Sequence, residues 1–141
     1  MDMSTQTIQR MDHFTVVTDR IDATLAFYEH LGLVAGERPD FGIRGAWLYA
    51  GGHPVLHVVE VLAMPTPRRG ALDHMAFRGH NIAGLLQILQ RERIGYRLLR
   101  LPRPWGTWQV FLEDPNGVEV EIDFDATERV PTELKDGTPR P

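Results

Sequence analysis

Cysteine is missing from all 141 residues, so disulfides, thiolate metal ligands and cysteine nucleophiles are excluded together. Any transition metal must then be held by His, Asp or Glu. A basic surplus is missing too: the formal net charge is -4 and the arginines are scattered rather than striped, which leaves no broad surface for releasing counterions from a phosphate backbone. Nucleic acid is not an expected partner. No apolar run is long enough to span a bilayer, and Met1 to Arg10 is polar with no apolar signal core. The expectation is a soluble, cytoplasmic protein with no membrane partner. What is present is 43% hydrophobic residues, enough to bury one sizeable core without a staple.

Apolar spacing divides the chain into strands and two helices. Met11–Thr18 is rich in aromatic and β-branched residues and predicts a strand. From Ile21 the apolar positions fall at Ile21, Leu25, Tyr28 and Leu31, the spacing of one helix face, with Gly32 at the place of a C-terminal cap. Strands follow at Gly45–Ala50 and Val55–Leu62, joined by the turn Gly51-Gly-His-Pro54. After a linker at residues 65–71, Leu72–Phe77 reads as a strand and Ile82, Leu85, Leu86 and Leu89 as a second helix. Tyr96–Leu101, Thr107–Leu112 and Val118–Phe124 complete the strands, the last after the turn Asp114-Pro-Asn-Gly117. Residues 1–10 read as an N-terminal tail, 11–64 and 72–125 as two modules, and 126–141 as a poorly ordered C-terminal tail.

A repeat underlies this order. Asp12-His13 recurs as Asp73-His74, an offset of 61 (74 − 13) that also carries Ile21 onto Ile82 and Leu25 onto Leu86. The same offset carries Gly45 onto Gly106, Trp47 onto Trp108 and Pro54 onto Pro115; beyond the turn it grows to 64, so that His57 falls opposite Glu121. The physical meaning is a duplicated strand–helix–three-strand module, each half needing its twin to bury a sheet. The repeat sets His13 and His74 on the opening strands and His57 and Glu121 on the closing ones. Two His and one carboxylate suit Fe(II), Mn, Ni, Co or Zn and leave coordination positions open for substrate. A lone strand histidine is more often a packed residue than a ligand. Glu119 and Asp123 share the parity of Glu121, so a solvated strand face is its ordinary explanation.

Three stretches resemble the vicinal oxygen chelate superfamily, which includes glyoxalases, bleomycin resistance proteins and extradiol dioxygenases. They are Asp12-His-Phe-Thr-Val16, Leu72-Asp-His-Met-Ala-Phe77 and Glu113-Asp-Pro-Asn-Gly-Val-Glu-Val-Glu-Ile-Asp-Phe124. The resemblance implies an α+β fold of two tandem βαβββ modules, their mixed sheets curled around a metal-binding cavity. It implies His13, His74 and Glu121 as metal ligands and His57 at the fourth family position. A divalent metal chelating two oxygens of a small substrate, with lyase or isomerase chemistry through a stabilised enolate, is the leading expectation, and Glu121 could also accept a proton. A homodimer is expected as well, since such modules often pair across subunits.

Departures keep two alternatives open. Glyoxalase I usually resembles a Glu at the position of His57. The extradiol branch typically carries a Tyr and a His near the positions of Phe111 and Trp108. An Fe(II) ring-cleaving dioxygenase would need its acid or base from elsewhere. A non-catalytic drug- or metabolite-binding protein would use Trp47, Trp108 and Phe111 as an aromatic lining, with Arg103 and Trp105 on a rim loop.

Overall fold

The computed structural model describes residues 7–137. The first module runs β1 (Phe14–Thr18), α1 (Ile21–His30), β2 (Val34–Gly36), β3 (Gly45–Ala50) and β4 (His53–Glu60). The second repeats the order with β5 (Met75–Arg78), α2 (Ile82–Arg91), β6 (Arg97–Arg100), β7 (Trp108–Glu113) and β8 (Glu119–Phe124). Each module forms one four-stranded mixed sheet, ordered β1-β4-β3-β2 and β5-β8-β7-β6, and the two sheets do not close into one barrel. The opening and closing strands pair in parallel in both halves, Thr15 beside His57 and Ala76 beside Glu121. These are the tandem βαβββ modules expected. His13 and His74 stand one residue before the strands they were expected to occupy, and the short β2 carries too little periodicity to be read from sequence.

Period-two alternation sorts each sheet into two faces. Val16, Ala46, Leu48, Leu56 and Val58 in the first module, with Val110, Leu112, Val120, Ile122 and Phe124 in the second, turn toward the helices in one continuous core. Helix α1 contributes Ile21, Phe27 and Tyr28 to it, and α2 contributes Ile82, Leu85, Leu86 and Leu89. The other face of each sheet carries the polar and aromatic side chains of interest. Helix α1 stops where Gly32 adopts φ 99°, a left-handed conformation suited to glycine.

One register differs from the sequence reading. Trp47 pairs with His57, and it is Phe111, not Trp108, that pairs with Glu121, an offset of 64 (111 − 47). Strand β6 keeps the offset of 61, because Arg97 faces Phe111 as Gly36 faces Trp47. The three extra residues therefore lie in the loop between β6 and β7, not beyond the Asp114 turn. The match of Gly45-x-Trp47 with Gly106-x-Trp108 is a coincidence of composition. An odd shift along a strand changes the face on which a side chain stands, so this correction alters which aromatic can reach the site.

The turn Asp114-Pro-Asn-Gly117 locks the modules together through buried polar groups. Asp114 Oδ1 accepts the backbone N–H groups of Asn116 (2.7 Å) and Val118 (2.9 Å), and its Oδ2 accepts the Tyr28 hydroxyl from α1 at 2.7 Å. Thr18 Oγ1 donates to Asn116 Oδ1 at 2.6 Å, and Asn116 Nδ2 donates to Thr24 Oγ1 at 3.0 Å. All of these side chains are buried, and their donors and acceptors are matched.

Beyond β8 the composition predicted disorder, but residues up to Gly137 are anchored. Glu128 accepts the backbone N–H groups of Ile82 (2.6 Å) and Asn81 (3.2 Å) at the start of α2, its backbone carbonyl accepts Trp108 Nε1 (2.9 Å), and Val130 and Leu134 are buried. A polar segment with only two apolar anchors lacks a readable period, yet it caps a helix and covers a core edge. Among the described residues no helix is long and apolar enough to cross a membrane.

Candidate metal centre

His74 and Glu121 come together. The chain places His74 Nε2 at 3.4 Å from Glu121 Oε1, while His74 Nδ1 donates to Asp73 Oδ2 at 2.7 Å. Asp73 thus keeps the proton on Nδ1 and leaves Nε2 as the free ligand atom, the arrangement that orients metal-bound imidazoles. It also lifts the His74 pKa above the usual imidazole range, with the nearby Glu121 charge adding to the effect. The first module repeats the device, with His13 Nδ1 donating to Asp12 Oδ1 at 2.7 Å. The recurring Asp before each His was visible in the sequence, but its orienting role was not assigned there.

Glu121 is 8% exposed. Burial pushes its carboxyl above the usual carboxylate range, helped by the neighbouring Asp123 carboxyl. Asp123 Oδ1 is itself buried without a partner among the described residues. Glu119, on the same face, is committed to Arg69 and Arg97, each at 2.6 Å. Asp73, His74 and Glu119 are the described residues whose ligand atoms all lie within 4.8 Å of one another. With Glu119 held by two guanidiniums and Asp73 on Nδ1, the pair open to a cation is His74 Nε2 with Glu121 Oε1. Two donors each about 2.1 Å from one ion at a roughly tetrahedral angle stand about 3.4 Å apart. The observed separation fits that requirement, and a cation would relieve the buried carboxylates.

His13 and His57 form a different association. Their rings stack with centroids 3.7 Å apart and planes tilted by 12°, and Trp47 stacks on His57 at 4.2 Å and 13°. A metal lies in the plane of each imidazole that binds it. The planes of His13 and His57 converge only roughly 17 Å away, against a metal–imidazole bond of about 2 Å, so as placed the two rings cannot share a cation. Desolvation, followed by the neighbouring His13, holds the His57 pKa below the usual range, and its buried Nε2 has no hydrogen-bond partner among the described residues. His57 is a neutral stacking residue here.

The aromatic and loop residues divide as the register dictates. Phe111 presents its edge to His74, ring centroids 6.2 Å apart, and lies under the Arg97 guanidinium. Trp47 belongs to the first-module stack. Trp108 is on the opposite face of β7, where Arg100 covers its ring at 4.3 Å and its indole N–H bonds to Glu128, so its expected place in the substrate lining is corrected. Arg103 and Trp105 are exposed on the β6–β7 loop. No hydrogen bond, ion pair or ring contact among the described residues joins them to His13, His57, His74 or Glu121. A cavity of about 250 Å³ opens beside Asp73 and His74, walled by β1, Met64, Leu72 and Val118.

With this geometry in view, the likeness to known proteins is specific. Residues 10–122 match the model of the Glyoxalase/Bleomycin resistance protein/Dioxygenase superfamily. The chain belongs to that superfamily. Solved structures share the superfamily fold at low identity. A protein described as of the glyoxalase family from Bacillus anthracis matches with a TM-score of 0.70 and 23% identity, over 85% of this chain and 98% of that one. A glyoxalase/dioxygenase from Nostoc punctiforme matches at 0.67 and 18%, over 84% and 92%. Lactoylglutathione lyase from Agrobacterium tumefaciens matches at 0.58 and 21%, over 83% and 94%. No curated protein matches the chain. The present chain carries Asp12-His13 and Asp73-His74 just ahead of its two opening strands and Glu121 on its last strand, with His57 stacked on His13.

Proposed function

We propose that this superfamily member is a metalloenzyme that holds one divalent cation, of Fe(II), Zn, Ni, Mn or Co, through His74 and Glu121, with His13 as a third ligand. Its substrate is a small molecule with two adjacent oxygens, and the reaction is of lyase or isomerase type. The observation that carries this reading is the 3.4 Å approach of His74 Nε2 to a buried Glu121 carboxylate, with Nδ1 already taken by Asp73. When bound, the cation supplies Lewis acidity toward the substrate oxygens. Asp73 keeps His74 in one tautomer and orientation. Glu121, made more basic than an ordinary carboxylate by burial and by Asp123, suits proton acceptance from a substrate carbon. Phe111 and the apolar wall of the adjoining cavity exclude water from that side.

His13 stands with His57, apart from the group that gathers around His74. Two copies of the chain paired so that the first module of one meets the second module of the other would complete the ligand set, and a homodimer is part of the proposal. The dioxygenase alternative gains no acid or base from Phe111 or Trp108. The ligand-binding alternative has one observation in its favour, the Trp47–His57–His13 stack, an aromatic platform that needs no metal.

Metal analysis of the purified protein tests the proposal. The wild type is expected to retain about one divalent ion per chain, and His13→Ala and His74→Ala to lose it. Undiminished metal in both variants rejects the site, and tight ligand binding by metal-free protein with no turnover on any metal supports the binding alternative.

A further inference from the structure

The loop between β2 and β3 lays a cation on the first sheet that no carboxylate among the described residues pairs with. Arg38 is half-buried, while its neighbours from Val34 to Glu37 and from Pro39 to Arg44 are exposed. Its guanidinium lies against the start of β3 at Gly45, where a Cβ would stand 2.4 Å from the Val58 carbonyl oxygen of the paired strand and 2.7 Å from Arg38 Nη2. The loop is held in place at both ends of this approach. Tyr49 donates its hydroxyl to the Glu37 carbonyl at 2.6 Å, and Asp40 Oδ1 accepts the N–H of Gly42, which has φ 71°. Asp40 is therefore engaged in its own turn. No carboxylate lies within ion-pair distance of Arg38 among the described residues; its guanidinium sits over the Phe41 ring, 4.9 Å from Cζ to the centroid.

Around this cation the walls are mostly apolar and aromatic, with Thr15 as a polar exception. Arg38, Phe41, Ile43, Trp47, His57 and Val59 line a cavity of about 290 Å³. Trp47 and His57 are stacked on adjacent strands, and Phe41 leans over Trp47 at 6.3 Å. A half-buried guanidinium facing an apolar pocket is costly unless an anion completes it, and its planar fork matches a carboxylate through two parallel hydrogen bonds. Inorganic phosphate would satisfy the charge but leave the aromatic walls in contact with water.

We infer that this pocket is a binding site for a flat, aromatic or conjugated carboxylate, with Arg38 as the carboxylate receptor and Phe41, Ile43 and Trp47 holding the apolar body. The site lies on the first module, next to the His13–His57 stack whose His13 is proposed above as the third metal ligand, and its carboxylate contact uses neither His74 nor Glu121.

Calorimetric titration of metal-free, full-length protein with 2-naphthoate, 2-naphthamide and inorganic phosphate is the test. The naphthoate is expected to bind at least about tenfold more tightly than the neutral amide, the preference expected of a charge-assisted hydrogen-bonded pair. In Arg38→Gln that preference is expected to vanish through loss of naphthoate affinity alone, with Arg38→Lys intermediate and the metal content of both variants unchanged. Equal binding of acid and amide by the wild type, or an unchanged preference in Arg38→Gln, overturns the assignment. Phosphate binding as tightly as naphthoate overturns the aromatic part. Since no metal is present in the titration, these outcomes are separate from success or failure of the His74–Glu121 centre.

Discussion

Replacing Asp114 with alanine is expected to lower the unfolding free energy by about 4 kcal/mol, read as a shift in the denaturation midpoint with an unchanged slope. The reason is the number of donors that one carboxylate satisfies. The Tyr28 hydroxyl and the backbone N–H groups of Asn116 and Val118 all point at it, and Tyr28 is fully buried. Each stranded buried donor costs about 1–3 kcal/mol, and water cannot reach the hydroxyl to replace the bond. Asp114→Asn provides the control. It keeps one acceptor oxygen for the two N–H groups and lets the Tyr28 hydroxyl turn to accept, so a loss of only about 1–2 kcal/mol is expected. Tyr28→Phe combined with Asp114→Ala should be far from additive, because the two residues share one bond. An alanine variant as stable as the wild type would show that the turn does not tie the modules together.

That turn also shows what sequence can reveal. Asp114-Pro-Asn-Gly117 is recognisable because a tight turn needs these residue types, and its position before an alternating strand predicted β8 correctly. Its second role, receiving Tyr28 from α1 far away in the chain, leaves no local pattern. The helices were legible for the same reason: the apolar residues of α2 recur at the helix period and are the ones buried. Register was not. Gly45-x-Trp47 and Gly106-x-Trp108 look alike, but three extra residues in the β6–β7 loop place Trp108 on the core side of its sheet, and loop length is not encoded in a period.

The candidate site was legible in part. The repeated Asp-His and the closing Glu were found from spacing, and His74 meets Glu121. The stacking of His13 on His57 was out of reach, because a histidine just ahead of one strand and another on its neighbour look the same in sequence whether their planes converge or lie parallel. Arg38 was missed for a related reason. A loop arginine has no signature until the fold shows what it lies against.

This distinction among the histidines has a large expected consequence. Competition against a chelator should show Glu121→Ala and His74→Ala weakening divalent metal binding by at least about a hundredfold, the scale expected on losing a ligand from a site of three. His57→Ala should change it by less than about threefold, since a ring stacked on His13 offers its lone pair to no shared ion. Asp73→Asn should fall between, at roughly tenfold, because the imidazole keeps its contacts but loses the carboxylate that fixes its tautomer. If His57→Ala proved as damaging as His74→Ala, the stack would have to open on metal binding and the four-ligand arrangement implied by the resemblance would be restored.

The most direct measurement is anomalous diffraction from crystals of the protein grown with its divalent metal, collected on both sides of the absorption edge. A single strong peak within about 2.2 Å of both His74 Nε2 and a Glu121 carboxylate oxygen is the predicted result. A peak elsewhere, or density around His74 and Glu121 with the side chains turned apart, would contradict it.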